Sequence, residues 1–159
     1  DLFESLAADP SLKGWNGLGL AIQAYGKRAK PVLEWLARLA ETTQRVLPVR
    51  LVKGAYWDTE IKRAQEAGLE AYPLFTRKVS TDVSYLACAR FMLAKPNLFY
   101  PQFATHNAHT IAAVKIMAGE QGGYEFQRLH GMGQALYEQV VGPKKMNLPC
   151  RIYAPVGSH

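Results

Sequence analysis

With 159 residues, of which 48% are hydrophobic and 20% charged, the chain has the balance of one globular domain with enough apolar content for a core. No segment approaches the roughly 18 consecutive apolar residues of a membrane span, and the opening DLFESLAADP does not read as a signal peptide. The two cysteines, Cys88 and Cys150, lie far apart without metal-ligand spacing and suit a reducing compartment, so a cytoplasmic protein is expected. The formal charge of +6 is compatible with nucleic acid, an anionic cofactor or plain solubility. Its basic residues are dispersed as Lys27-Arg28-Lys30, Lys62-Arg63, Arg77-Lys78 and Lys144-Lys145, with acids between them. Nucleic-acid binding by this segment, which needs a basic stripe or recognition helix, is therefore not expected.

Along the chain, five apolar runs read as strands: Gly19 to Tyr25, Val49 to Lys53, Leu98 to His106, Glu125 to His130 and Cys150 to Ala154. Helical spacing separates them. Pro31 suits a helix N-terminus, with Val32, Leu36, Leu39 and Ala40 on one face. Asp58 is expected to cap a short helix that stops near Gly68. Tyr85, Leu86, Ala89, Met92 and Leu93 share a further helical face that Pro96 terminates. Asn107 is expected to cap the next helix, which carries Ile111, Val114 and Ala118 inward until Gly119, and Gln134 to Val141 forms a last short one. Strand and helix alternate throughout, which predicts a parallel α/β sheet. A doubly wound dinucleotide fold is disfavoured. The turn GKRAKP after Tyr25 has one glycine, and Gly131-Met132-Gly133 lacks the third at the required spacing.

Polar side chains recur near the strand C-termini: Gln23 and Tyr25, Arg50 and Lys53, Thr105 and His106, Gln127 with Arg128 and His130, then Tyr153. In a (βα)8 barrel such ends form the active face. Burying arginine and lysine in apolar strands is costly unless an anionic or richly hydrogen-bonding group meets them, which suggests a phosphate-bearing cofactor. The competing reading pairs these charges with acids or with solvent. His106 suits a hydrogen-bonded structural histidine as well as a base, and His130 is equally open. His109 belongs on the surface, and no carboxylate completes a metal site with it. Tyr56 and Trp57 fit either core packing or rings that cover a ligand. No Gly-x-Ser-x-Gly elbow or cysteine–histidine pattern supports acyl transfer.

The runs VRLVKGAYWDTEIKRAQ, FTRKVSTDVSYLACAR, FATHNAHT, YEFQRLHGMG and PCRIYAPVGSH together resemble the proline dehydrogenase domain of bacterial bifunctional proline-utilization enzymes. The resemblance implies a distorted (βα)8 barrel that holds FAD at its strand C-termini, with these strands as the fourth to eighth. It implies oxidation of L-proline to Δ1-pyrroline-5-carboxylate by hydride transfer from ring C5 to flavin N5, electrons passing on to a quinone. The intact protein would then associate peripherally with the inner membrane. By the same resemblance, Gln23 lies near the flavin, Arg50 bonds around flavin N5 and the ribityl chain, and Lys53 with Gly54 and Ala55 holds the cofactor's polar middle. Trp57, Thr76, Lys78, Thr105, His106, Asn107 and Gln127 match further cofactor contacts. Tyr56, Leu129 and Tyr153 match the walls of the proline site.

A whole barrel needs about 250 residues. Residues 1–159 are therefore expected to be a partial barrel that lacks the first three strands and the last helix. The alternative function is a structural or interaction fragment that binds no FAD by itself.

Overall fold

The computed structural model describes residues 2–157, and Ala154 is the last residue of the fifth expected strand to fall within them. Five strands, β1 (Leu20–Gln23), β2 (Leu47–Val52), β3 (Phe99–Ala104), β4 (Glu125–Leu129) and β5 (Cys150–Tyr153), form one sheet in sequence order. Every neighbouring pair is parallel, in line with the alternation of patterns in the sequence. Each strand is shorter than its apolar run or shifted from it, so Lys53 and His106 lie just past strand ends. Proline is tolerated inside β3 because Pro101 precedes the first β3–β4 pair, Gln102 with Glu125, where that ladder has not begun.

Alternation along each strand divides the sheet into two unlike faces. Leu47, Val49, Leu51, Phe99, Phe103 and Phe126 are fully buried against the outer helices. Those helices are α2 (Ala29–Thr43), α3 (Trp57–Glu66), α4 (Lys78–Leu93), α5 (Ala108–Ala118) and α6 (Gln134–Val141), with a short α1 (Leu2–Ala7) at the start. Leu33, Leu36, Ala40, Tyr85, Ala89, Met92, Ile111 and Val114 complete this core. The opposite face carries Arg50, Gln102, Glu125, Gln127 and Arg151 side by side, set by the register Arg50–Gln102–Glu125 and Gln127–Arg151. Such a polar inner face, with β1 and β5 unpaired at their outer edges among the described residues, is one side of an unclosed barrel.

Local expectations fared unevenly. The Asn107 side chain does cap α5, accepting from the Thr110 amide at 2.9 Å, and Gly119 at φ 58° ends the helix. Asp58 does not cap α3. Tyr56 occupies that position, and Asp58 sits inside the first turn, where its charge opposes the positive end of the helix dipole. In α2, Pro31 lies in the first turn, two residues past the helix start, and fully buried Leu33 joins half-buried Val32 against the core. The first segment, α1 and a 3-10 turn over Pro10–Leu12, was not anticipated. Buried Arg45 ties it down, donating from Nε to the Ala7 carbonyl and from Nη1 to the Trp15 carbonyl, both at 2.8 Å.

Candidate active site

At the C-terminal ends of the strands lies an open cleft of about 620 Å³. From β1 and β2 come Gln23, Arg50, Lys53, Gly54, Ala55 and Tyr56; from β3 and β4 come Thr105, His106, Asn107, Gln127 and Leu129. Lys78, at the start of α4, closes one side. An adjoining hollow of about 410 Å³ shares Lys53, Gly54 and Lys78 and adds Trp57 and Thr76. Tyr153, the last residue of β5 and the register partner of Leu129, lines a third hollow that shares Arg50 and Gln127 with the cleft. The side chains picked out in the sequence therefore gather at one end of the sheet.

Backbone geometry explains how loop residues reach it. The Phe75 amide donates to the Tyr25 carbonyl at 2.7 Å and the Lys27 amide to the Pro73 carbonyl at 3.0 Å, which draws Thr76 and Lys78 toward the end of β2. Lys53 has left the strand, as its spacing from Arg50 requires, and its ammonium meets Asp82 of α4 at 2.6 Å. Lys78 meets the other oxygen of Asp82 at 2.7 Å. Hydrogen bonds from Lys53 and then Lys78 hold the Asp82 carboxyl below its ordinary range. Gly54 bridges strand and α3 at φ +142°, and a Cβ there would lie 2.2 Å from the Tyr25 ring. The Ala55 amide donates to Gln23 Oε1 at 3.3 Å. Tyr56 is 64% and Trp57 40% exposed, so neither packs in the core. Tyr56 lines the cleft and Trp57 the adjoining hollow, with Trp57 Nε1 donating to the Phe75 carbonyl at 3.0 Å.

Arg50 is held on two sides. Its Nε donates to Gln127 Oε1 at 2.8 Å, and its guanidinium lies 5.0 Å from the centre of the Tyr153 ring. No described residue hydrogen-bonds its two Nη groups. His106 is hydrogen-bonded as the structural reading anticipates: Nε2 accepts from the Leu129 amide at 3.1 Å, which leaves the ring proton on Nδ1. Tyr137 of α6 is buried, and its hydroxyl lies 2.7 Å from the Thr105 carbonyl and 3.0 Å from that of Gln127. It thereby pins the ends of β3 and β4 together.

Sequence reasoning missed Glu125, the hub of the inner face, because it reads as a strand's first residue. Arg151 grips it with Nε–Oε1 at 2.6 Å and Nη2–Oε2 at 2.9 Å. Gln102 and Gln127 donate to Oε1 at 3.0 and 2.8 Å, and Tyr100 to Oε2 at 3.2 Å. Burial works to raise the Glu125 pKa, but these donors outweigh it and hold the carboxyl below its ordinary range. Asp82 was missed as well, since nothing in the sequence shows that α4 lays it beside Lys53. Among the described residues, no three His, Cys, Asp or Glu side chains group as metal ligands.

The proline dehydrogenase family profile matches residues 1–159. The chain belongs to the proline dehydrogenase family. It is 64% identical to the bifunctional protein PutA of Klebsiella aerogenes, over all of this chain and 13% of that protein. It is 56% identical to the PutA protein of Rhizobium meliloti, again over the whole chain and 13% of the relative. A crystal structure of a variant proline utilization A from Bradyrhizobium japonicum superposes with a TM-score of 0.94 at 59% identity, covering 99% of this chain and 16% of that one. One from Bdellovibrio bacteriovorus, inactivated by N-propargylglycine, gives 0.92 at 34% identity, covering 99% and 16%. The chain thus spans a small part of the relatives' length. Its parallel strands with outer helices are those of the proline dehydrogenase barrel, unclosed here. No helix among the described residues is long and apolar enough to cross a membrane.

Proposed function

We propose that this chain contributes the C-terminal five strands of an FAD-dependent proline dehydrogenase that oxidises L-proline to Δ1-pyrroline-5-carboxylate. The observation that carries the reading is Arg50. It is a cation fixed by Gln127 and Tyr153 that lines a cleft at the strand C-termini, and no described residue hydrogen-bonds either Nη group. The surrounding donor set fits a dinucleotide cofactor. Lys53 and Lys78 share one carboxylate, so the cleft keeps an excess of positive charge for a diphosphate, while Gln23, Gln127 and backbone amides suit a heterocycle and polyol. When bound, FAD would supply the redox chemistry by accepting a hydride from proline C5 at N5.

This chain's residues bind and orient. Arg50 would hold the flavin around N5 and the ribityl chain, and Lys53, Gly54 and Ala55 would hold the cofactor's polar middle. Gln23, Trp57, Thr76, Lys78, Thr105, His106, Asn107 and Gln127 make further cofactor contacts. Tyr56, Leu129 and Tyr153 wall the substrate and exclude water. The unpaired outer edges of β1 and β5 support closure of the barrel by three further strands and a last helix of a longer polypeptide. Electrons then pass to a quinone at the inner membrane, to which the otherwise cytoplasmic protein binds peripherally.

The same open edges favour a second reading for the 159 residues alone, a piece that neither retains FAD nor turns over. A proline-to-dye reduction assay with excess FAD, run on the full-length protein and on this chain at equal concentration, tests both. Turnover by the full-length protein and a rate at least a hundredfold lower for the chain is expected. No proline-dependent dye reduction by the full-length protein would refute the assigned activity.

A further inference from the structure

The Gln127 amide links two groups of opposite character. Glu125 is a carboxylate that only accepts, and Arg50 is a guanidinium that only donates, so Gln127 must turn Nε2 to the former and Oε1 to the latter. Five donor contacts converge on the two Glu125 oxygens. Its side chain is 6% exposed, and the bidentate Arg151 pair fixes its plane. The carboxylate has no direct contact with Arg50. It reaches that cation only through the oriented amide.

We propose that Glu125 is a positioning residue for the cofactor site: by locking the Gln127 amide in one orientation, it aims the Arg50 Nη groups at the ligand. The proposal rests on the FAD-binding reading above. Loss of the carboxylate's charge removes the acceptor-only partner that holds Gln127 Nε2 and leaves Arg50 alone to orient the amide. A flipped amide would set two N–H donors against the guanidinium and push it off its line. Glu125 does not line the cleft, so an effect carried by the relay must vanish when the relay is removed.

The test is a double-mutant cycle in the full-length protein, with Glu125→Gln, Gln127→Leu and both together. FAD is titrated into deflavinated protein, and the flavin midpoint potential is measured beside it. Glu125→Gln alone should weaken FAD binding about tenfold, the equivalent of one charge-assisted hydrogen bond, and lower the potential. Added to Gln127→Leu it should change binding by less than about twofold, as a severed relay requires, and leave the potential where the single variant set it. Equal weakening in both backgrounds, or no change in either, would overturn the proposal. If Glu125→Gln fails to fold, Arg151→Lys, which releases the bidentate grip but keeps the charge, takes its place in the cycle and is judged by the same outcomes. An unmodified full-length protein that binds no FAD would instead remove the functional reading, and this proposal with it.

Discussion

Replacing Arg50 with methionine keeps most of the aliphatic stem and removes the guanidinium. Two intramolecular contacts go with it, the 2.8 Å bond to Gln127 and the 5.0 Å approach to the Tyr153 ring. A hydrogen bond to a charged group contributes about 1.5–3 kcal/mol, and a cation over an exposed ring about 0.5–1 kcal/mol. Arg50 is only half-buried and water repays part of that loss, so a folding penalty of about 1–2 kcal/mol is expected. The effect on the ligand should be larger. Arg50 lines the cleft and no described residue hydrogen-bonds its Nη groups, and one lost charge-assisted contact corresponds to FAD binding roughly tenfold to a hundredfold weaker. Titration of FAD into the deflavinated full-length variant, with stopped-flow reduction by proline, reads this directly. A variant that loses only the folding increment, with FAD affinity and reduction rate intact, would show that Arg50 serves the inner-face network and not the cofactor.

Gly54→Ala should be among the most damaging small substitutions. It combines a φ of +142° with a Cβ placed 2.2 Å from the Tyr25 ring, and backbone strain plus overpacking together cost about 2–5 kcal/mol. Chemical denaturation should show the loss, and an unchanged midpoint would refute the geometry at the end of β2. Acid should destabilise the sheet through Glu125. Because its folded pKa is depressed, its contribution is complete above the ordinary glutamate pKa of about 4.3 and is lost as pH falls from there through the folded value. Denaturation midpoints should therefore fall steeply below about pH 4.3, and less steeply in Glu125→Gln. Parallel slopes would contradict the assigned ionisation.

Much of the architecture was legible because it depends on local periodicity. Leu47, Val49 and Leu51 alternate with Pro48 and Arg50, and Tyr85, Ala89 and Met92 recur at helical spacing, so burial of one face follows from side-chain order alone. Capping by Asn107 was equally readable, since donor and acceptor are three residues apart. Asp58 failed as a cap because α3 begins two residues earlier than such a cap requires, at Trp57, just after the turn at Gly54. Tyr56 and Trp57 remained ambiguous in sequence, as aromatic rings serve equally in cores and over ligands. Their exposure in the folded chain excludes the core reading.

Residue order alone determined that strands and helices alternate, that polar groups collect at strand ends, and which family the five blocks resemble. Tertiary structure decided which charges meet. Asp82 lies beside Lys53 because α4 packs across β2, and Arg151, whose register partner is Gln127, reaches Glu125 because β4 and β5 lie side by side on the inner face. Arg50 depends on Gln127, a residue 77 positions away, for its orientation. No window of sequence contains such a pair. Its partners are chosen by strand register and helix packing, which act across the whole chain, whereas pattern and propensity act within a few residues.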